Sequence, residues 1–230
     1  MEISELRQRL EAIGQEHVLR FWDELTDASR SRLVHQLQSL DLDRIAVLVQ
    51  THVKTKPTIR LPRDIQPVKP YPRNPGQEYR KLYDDARRRG YQLLQEGKVA
   101  AFLVAGGQGT RLGYDGPKGE FPVTPVKNKP LFQVFAEQLL AHSRDSGRAI
   151  PWYIMTSDIN DAATRAFFAR HNYFGYDPAN IMFFEQGMMP AFSFDGKMLL
   201  DQKDSLALSP DGHGGSLRAL WRSGAVADMR

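Results

Sequence analysis

The chain has 230 residues, of which 41% are hydrophobic and 25% charged, and it contains no cysteine. This is an ordinary globular composition, long enough for a proper core, and it excludes disulfides and cysteine-held metals; no apolar run reaches the roughly 18–20 residues of a membrane-spanning helix. The net charge of +4 and the pI of about 9.3 fit nucleic acid, anionic lipid or phosphorylated small molecules as partners.

The N-terminus, MEISELRQRL, is charged and lacks the apolar core of a signal peptide. Together with the missing cysteines this gives a cytoplasmic location as the expectation. Ile3, Leu6, Leu10 and Ile13 recur at helical spacing, and Leu19, Trp22 and Leu25 resume the stripe after Gly14. Asp27 or Ser29 is placed to cap a second helix over Arg32 to Leu40, and Asp41 a third bearing Ile45, Leu48 and Val49. Residues 53–75 carry six prolines and read as an extended connector. A helix from Gln77 to Glu96 ends at Gly97. It holds the densest basic run, Arg87 to Arg89, which lacks interleaved aromatics and reads as a solvated face, so no nucleic-acid partner is expected.

From Lys98 the pattern changes. VAAFLVA is a continuous apolar run, as expected of a strand covered on both faces. PLFQVFAEQLLAHSRDSG reads as a helix, IPWYIMTS as a buried strand, DAATRAFFARHNYFG as a helix and NIMFFEQG as a third strand. This alternation predicts an α/β fold with a parallel sheet. SFDGKMLL then reads as a hairpin with Asp195-Gly196 as its tight turn, and a last helix covers about 214 to 229. The sequence sets no oligomeric state.

The first of these strands runs into Gly106-Gly107-Gln108-Gly109-Thr110-Arg111. Ligands of open α/β sheets sit beyond the carboxyl ends of strands, and glycines let backbone N–H groups approach an anion. Thr110 can donate from its hydroxyl, Arg111 can grip a phosphate with two bonds, and Lys118 adds a second cation. The pattern is not a P-loop, which needs a lysine after its last glycine, and the dinucleotide fingerprint fails because Leu112 stands where its third glycine belongs. A structural turn is the alternative; the ordered threonine, arginine and lysine favour phosphate.

Gly-Gly-x-Gly-Thr-Arg-Leu followed by Pro-Lys-Gly resembles the signature of nucleotidyltransferases that make nucleotide sugars. Further stretches in collinear order are similar to the UDP-N-acetylhexosamine pyrophosphorylases: GQEHVLRFWDEL, LVAGGQGTRLG, IPWYIMTSD, FFARHNYFGYD, FFEQGMMPAFSFDGKMLL and PDGHGGSLRAL. The resemblance implies a Rossmann-like sheet with helices on both faces, preceded by a helical N-terminal region. Residues 1–97 would form that region and 98–230 the first portion of the catalytic domain. It implies a uridylyltransferase acting on UTP and N-acetylglucosamine 1-phosphate, with Mg²⁺ bridging phosphate oxygens. Arg111 and Lys118 would be catalytic. Leu103, Ala105, Gly106, Gly107, Gly109 and Thr110 would hold the nucleotide, with Gln186 and Gly212 reading the uracil.

Two departures stand out. Where the N-acetylhexosamine enzymes have a sugar-contacting asparagine, this chain has His213, in the Gly-His-Gly of UDP-glucose and broad UDP-sugar pyrophosphorylases. His213 therefore implies tolerance of glucose 1-phosphate or another unacetylated sugar. In the family a strand with a metal-holding aspartate follows the helix that here ends near residue 229, and Asp228 is no substitute, so no metal ligand is assigned. The expectation is a fragment or a truncated chain with an unpaired sheet edge, able to bind nucleotide and not expected to turn over alone; a non-catalytic binder is the alternative function.

Overall fold

A computed structural model describes residues 3–56, 58 and 60–229. The chain divides into two compact units. One takes the residues up to Gln66 and adds Met188–Pro210; the other takes Pro67–Gly187 and the residues from Asp211 onward. The division does not run at Gly97 and Lys98. The helix before Gly97 packs with the sheet unit, and the segment after Gly187 supplies side chains to the core of the N-terminal helices.

In the first unit, helix α1 (Ile3–Ala12) buries Leu6 and Leu10. Gly14, at φ +68°, stops it. The stripe expected to resume is not helical: Glu16–Leu19 and Trp22–Glu24 form two short 3-10 turns. The cause is a buried amide. Gln15 donates from Nε2 to the Gly196 carbonyl at 2.7 Å and accepts the Met198 N–H at 2.8 Å, pinning the chain where a helix would continue. Helix α2 spans Asp27–Ser39, five residues longer at its start than expected. Its cap is neither Asp27 nor Ser29 but Thr26, whose hydroxyl accepts the Ser29 N–H. Asp41 caps α3 (Leu42–Leu48) by accepting the Arg44 N–H, as its position predicts.

The inserted segment supplies two antiparallel pairs, β4 (Met188–Pro190) with β7 (Leu208–Pro210) and β5 (Leu200–Gln202) with β6 (Ser205–Leu206). The expected hairpin forms, but its turn is not the two-residue Asp195-Gly196. Ser193 and Lys197 pair across a three-residue loop, with Gly196 at φ +87°, where a side chain would be strained. Met198 and Leu206 join Leu6, Leu10, Leu33, Leu37 and Ile45 in one core.

The described residues from Lys54 to Gly76 form no helix or strand, as six prolines dictate. In the second unit, helix α4 (Gln77–Gln95) packs on α5 (Leu131–Ser146), and the Tyr91 hydroxyl donates to the Asp145 carbonyl. Three parallel strands, β1 (Ala101–Val104), β2 (Trp152–Thr156) and β3 (Ile181–Glu185), form a sheet in that order. One face is covered by α5 and α6 (Asp161–Arg170), which bury Phe132, Trp152, Ile154 and Phe168 in an aromatic core. The other is covered by α7 (Gly212–Arg222) and α8 (Ala225–Asp228) over Tyr153, Met155 and Phe184.

Three further expectations are corrected. Strand β1 is not covered on both faces: Phe102 and Val104 are 40% and 38% exposed. It lies at a sheet edge, and the core formed with α7 and α8 includes side chains of β2 and β3 but not of β1; only central β2 is buried throughout. Helix α6 ends at Arg170 rather than 175, because Asn172, Tyr173 and Phe174 take left-handed backbone. That costs about 1 kcal/mol or more per residue and is offset by Tyr173 and Phe174 folding onto Phe167 and Phe168. The last helix breaks at Gly224, φ +82°, into α7 and α8.

Candidate functional site

The ladder between β1 and β2 ends where the Ala105 N–H donates to the Met155 carbonyl at 2.7 Å. Gly106 and Gly107 then leave the sheet at the carboxyl end of β1. The chain runs out through a tongue and returns: Gly109 N–H bonds the Gly116 carbonyl at 2.8 Å, and Lys118 N–H bonds the Gly107 carbonyl at 3.0 Å. Thr110–Leu112 form a 3-10 turn at its tip, and Thr110 and Arg111 are exposed.

Two glycines of this loop are closely approached. A Cβ on Gly106 would lie 2.8–2.9 Å from the side-chain amide of Gln186. A Cβ on Gly109 would lie 2.9–3.0 Å from Tyr114, its carbonyl oxygen included. Beside Gly107, the Lys118 Nζ is 3.6 Å from where a Cβ would stand. Thus Gly106, Gly107, Lys118 and Gln186, far apart in sequence, meet at one strand end. Gln186 is held there by its own N–H, which donates to the Thr156 carbonyl at the end of β2 at 2.9 Å.

Leu103 and Ala105 pack with the aromatic core, so what they offer a ligand is backbone rather than side chain. Gly212 opens α7 in the left-handed region, φ +71°, and is exposed. It reaches the loop neighbourhood through Asp211, whose N–H donates to the Gly187 carbonyl at 3.0 Å. The Asp211 carboxylate fills the space a Cβ on Gly187 or Gly215 would need, and its Oδ1 is buried without a hydrogen-bond partner. His213 lies in the first turn of α7; its side chain is outside the described residues.

Among the described residues, neither Arg111 nor Lys118 has a carboxylate partner, so both cations are available to an anion. Just after the tongue, Glu120 accepts the Tyr114 hydroxyl at 3.3 Å. Burial holds the Glu120 carboxyl above its ordinary range. A cavity of about 100 Å³ opens beneath the loop between Ala105, Gly107, Lys118 and Phe132. A larger one, about 650 Å³, lies at the opposite ends of the strands, by Lys98, Pro151 and Ile181, away from these groups.

Three contributors were missed in the sequence. Ser157 and Asn160, just after β2, donate to the loop carbonyls: Ser157 Oγ to Gly106 at 3.1 Å, and Asn160 Nδ2 to Ala105 at 2.9 Å. Asp211 is the third. The visible signal for Asn160 is its place directly before a helix, which reads as a cap, yet its side chain makes no capping bond.

A parallel α/β sheet that ends one strand in bare glycine backbone, with an amide and a lysine that has no carboxylate partner among the described residues beside it, is of the class that receives anionic ligands beyond its strand ends. The family described as UTP--glucose-1-phosphate uridylyltransferase is matched over residues 47–230, and the chain belongs to that family. It is 38% identical to the UDP-N-acetylhexosamine pyrophosphorylase-like protein 1 of Homo sapiens, over 98% of this chain and 47% of that protein. It is 34% identical to the UDP-N-acetylglucosamine pyrophosphorylase of Saccharomyces cerevisiae, over 95% of this chain and 48% of that protein. A solved structure of the uridine diphosphate N-acetylglucosamine pyrophosphorylase from Trypanosoma brucei is similar with a TM-score of 0.71 at 25% identity, over 93% of this chain and 44% of that one. The chain thus spans about half the length of these relatives.

Proposed function

We propose that this chain binds a uridine nucleotide at the glycine loop, in a Rossmann-like sheet, and serves a UTP:sugar-1-phosphate uridylyltransferase reaction. The observation that carries this is the meeting of the Gln186 amide with Gly106 and of the Lys118 ammonium with Gly107. An amide offers the donor and acceptor that a uracil edge requires, and an unpaired lysine beside bare backbone suits a phosphate. Gly212, exposed at the start of α7, fits a second contact to the base.

In the reaction, an oxygen of the sugar 1-phosphate attacks the α-phosphorus of UTP. A new O–P bond forms as the bond from the α-phosphorus to the bridging oxygen breaks, and pyrophosphate leaves with that electron pair. Such a transfer asks the protein for in-line positioning and for charge opposite the transferring group. Arg111 and Lys118 supply the charge, and Thr110 adds a hydroxyl donor. The family leads one to expect Mg²⁺ on the phosphate oxygens. Among the described residues no three His, Asp or Glu side chains are grouped to hold a metal ion. A Mg²⁺ ion would then be held chiefly by the substrate phosphates rather than by a cage of protein side chains.

N-acetylglucosamine 1-phosphate is the sugar this reading takes first, supported by the similarity to the human and yeast proteins. His213 within Gly-His-Gly favours a second reading, an unacetylated sugar 1-phosphate such as glucose 1-phosphate. Calorimetric titration with UTP, CTP and ATP tests the first claim: UTP is expected to bind at least about tenfold tighter than either, a gap of about 1.4 kcal/mol. Equal affinity for ATP, or no binding of UTP, would refute it. Titrating UDP-N-acetylglucosamine against UDP-glucose separates the sugars.

A further inference from the structure

The carbonyls of the glycine loop are held from behind. After Ala105 the chain has left the ladder, so the carbonyls of residues 105 to 107 have no strand to bond. They bond side chains and the returning tongue instead. Asn160 Nδ2 donates to Ala105 at 2.9 Å and stands 3.5 Å from the Gly107 carbonyl, which also accepts the Lys118 N–H at 3.0 Å. Ser157 Oγ donates to Gly106 at 3.1 Å. In a trans peptide the C=O of one residue and the N–H of the next point in opposite directions. Fixing the carbonyls of Ala105, Gly106 and Gly107 therefore aims the N–H groups of Gly106, Gly107 and Gln108 away from the groups that hold those carbonyls. Among the described residues none of these three N–H groups has an acceptor.

We infer that Asn160, assisted by Ser157, is a positioning residue that presents the N–H groups of Gly106 to Gln108 to the nucleotide phosphates. The inference rests on the nucleotide reading above. Asn160 is fully buried and has no freedom to do otherwise. Its Oδ1 accepts the Ser157 N–H at 2.9 Å, and its own carbonyl accepts the Thr164 N–H at 2.9 Å, which roots it in α6. Only an amide of this length puts a donor toward the loop and an acceptor toward Ser157 at once. The isosteric carboxylate in Asn160→Asp would set a negative oxygen against the Ala105 carbonyl and turn the loop.

The test is UTP titration of the 230-residue chain and of Asn160→Asp, Asn160→Ala and Ser157→Ala, well below each melting temperature, with circular dichroism as the fold check. Amide hydrogen exchange of residues 105–109 is followed in parallel. The wild type is expected to bind UTP. Asn160→Asp is expected to weaken it about tenfold or more and Ser157→Ala about threefold, the scale of one or two hydrogen bonds, with faster exchange confined to the loop. Variants that melt earlier yet bind UTP as tightly as wild type when folded show a merely structural role and overturn the inference. Should the Asn160 variants not fold, Ser157→Ala alone decides by the same criteria. A wild type that does not bind UTP overturns the nucleotide reading, and this inference with it, whereas binding by wild type and variants alike overturns the inference alone.

Discussion

The side-chain amide of Gln186 rests on the bare Cα of Gly106, so close that a Cβ there would stand 2.8–2.9 Å from its three terminal atoms. Gly106 is not in left-handed backbone. The glycine admits this approach and does not serve a turn, so the consequence of filling the space can be isolated.

Gly106→Ala should push the Gln186 side chain off the loop. Its far end is flexible, so the fold should yield at a cost of about 1 kcal/mol or less, while UTP affinity falls about tenfold, or roughly 1.4 kcal/mol. Calorimetry and thermal melting on one preparation separate the two effects. Unchanged UTP affinity would mean that Gln186 does not touch the nucleotide.

Gly90 is the counter-case. It sits exposed inside α4, with open space where its Cβ would be and no positive φ. Gly90→Ala should therefore stabilise the chain by ~0.5–1 kcal/mol through helix propensity and a less free unfolded state, and leave UTP binding untouched. Urea unfolding measures it; a loss of stability would show that α4 is not helical there.

Much of this was legible in the sequence, for a physical reason. Periodic or apolar segments ended by Gly97, Gly106 and Gly147 mark strand and helix limits through local chemistry alone, and Asp41 caps its helix by a bond three residues away. What was not legible depends on distant partners. The turns after Gly14 follow from Gln15 bonding a segment 181 residues on. The exposure of Phe102 and Val104 depends on which strands α7 and α8 cover, which no apolar run encodes. The residues of the glycine loop were readable from their order, but Asn160, whose bond to Ala105 spans 55 residues, looks from its neighbours like a helix cap.

Lys118 tests the electrostatic half of the site. Its ammonium sits beside Gly107 with no carboxylate partner among the described residues, so Lys118→Met removes little from the fold, within about 0.5 kcal/mol. Affinity for UTP should drop about tenfold, and the salt dependence of binding should flatten because one charge–charge attraction is gone. Titrations at low and high salt read both; a variant that keeps the wild-type salt slope would place Lys118 outside the phosphate site.

At the far end of the same sheet, Tyr153 gives a pH signature of folding that is independent of the nucleotide. Its ring is buried in β2, and its hydroxyl donates to Asp228 at 2.7 Å. Burial, and then the Asp228 carboxylate as hydrogen-bond acceptor and as charge, push its pKa up to about 12 from an ordinary 10.0. The folded chain thus holds this proton at pH values where the unfolded chain has released it. Between about pH 10 and 12 the unfolded state binds fewer protons, so stability falls as pH rises; below pH 10 both states keep the proton and the contribution is complete. Urea midpoints at pH 8, 10 and 11 should therefore decline for the wild type. Tyr153→Phe should lower stability at pH 8 by about 1 kcal/mol, the net value of one hydrogen bond, and should decline less steeply above pH 10. Asp228 is exposed and can be hydrated once the hydroxyl is gone, which keeps that loss small. Parallel declines in the two proteins would show that the Tyr153 proton is not held by this contact.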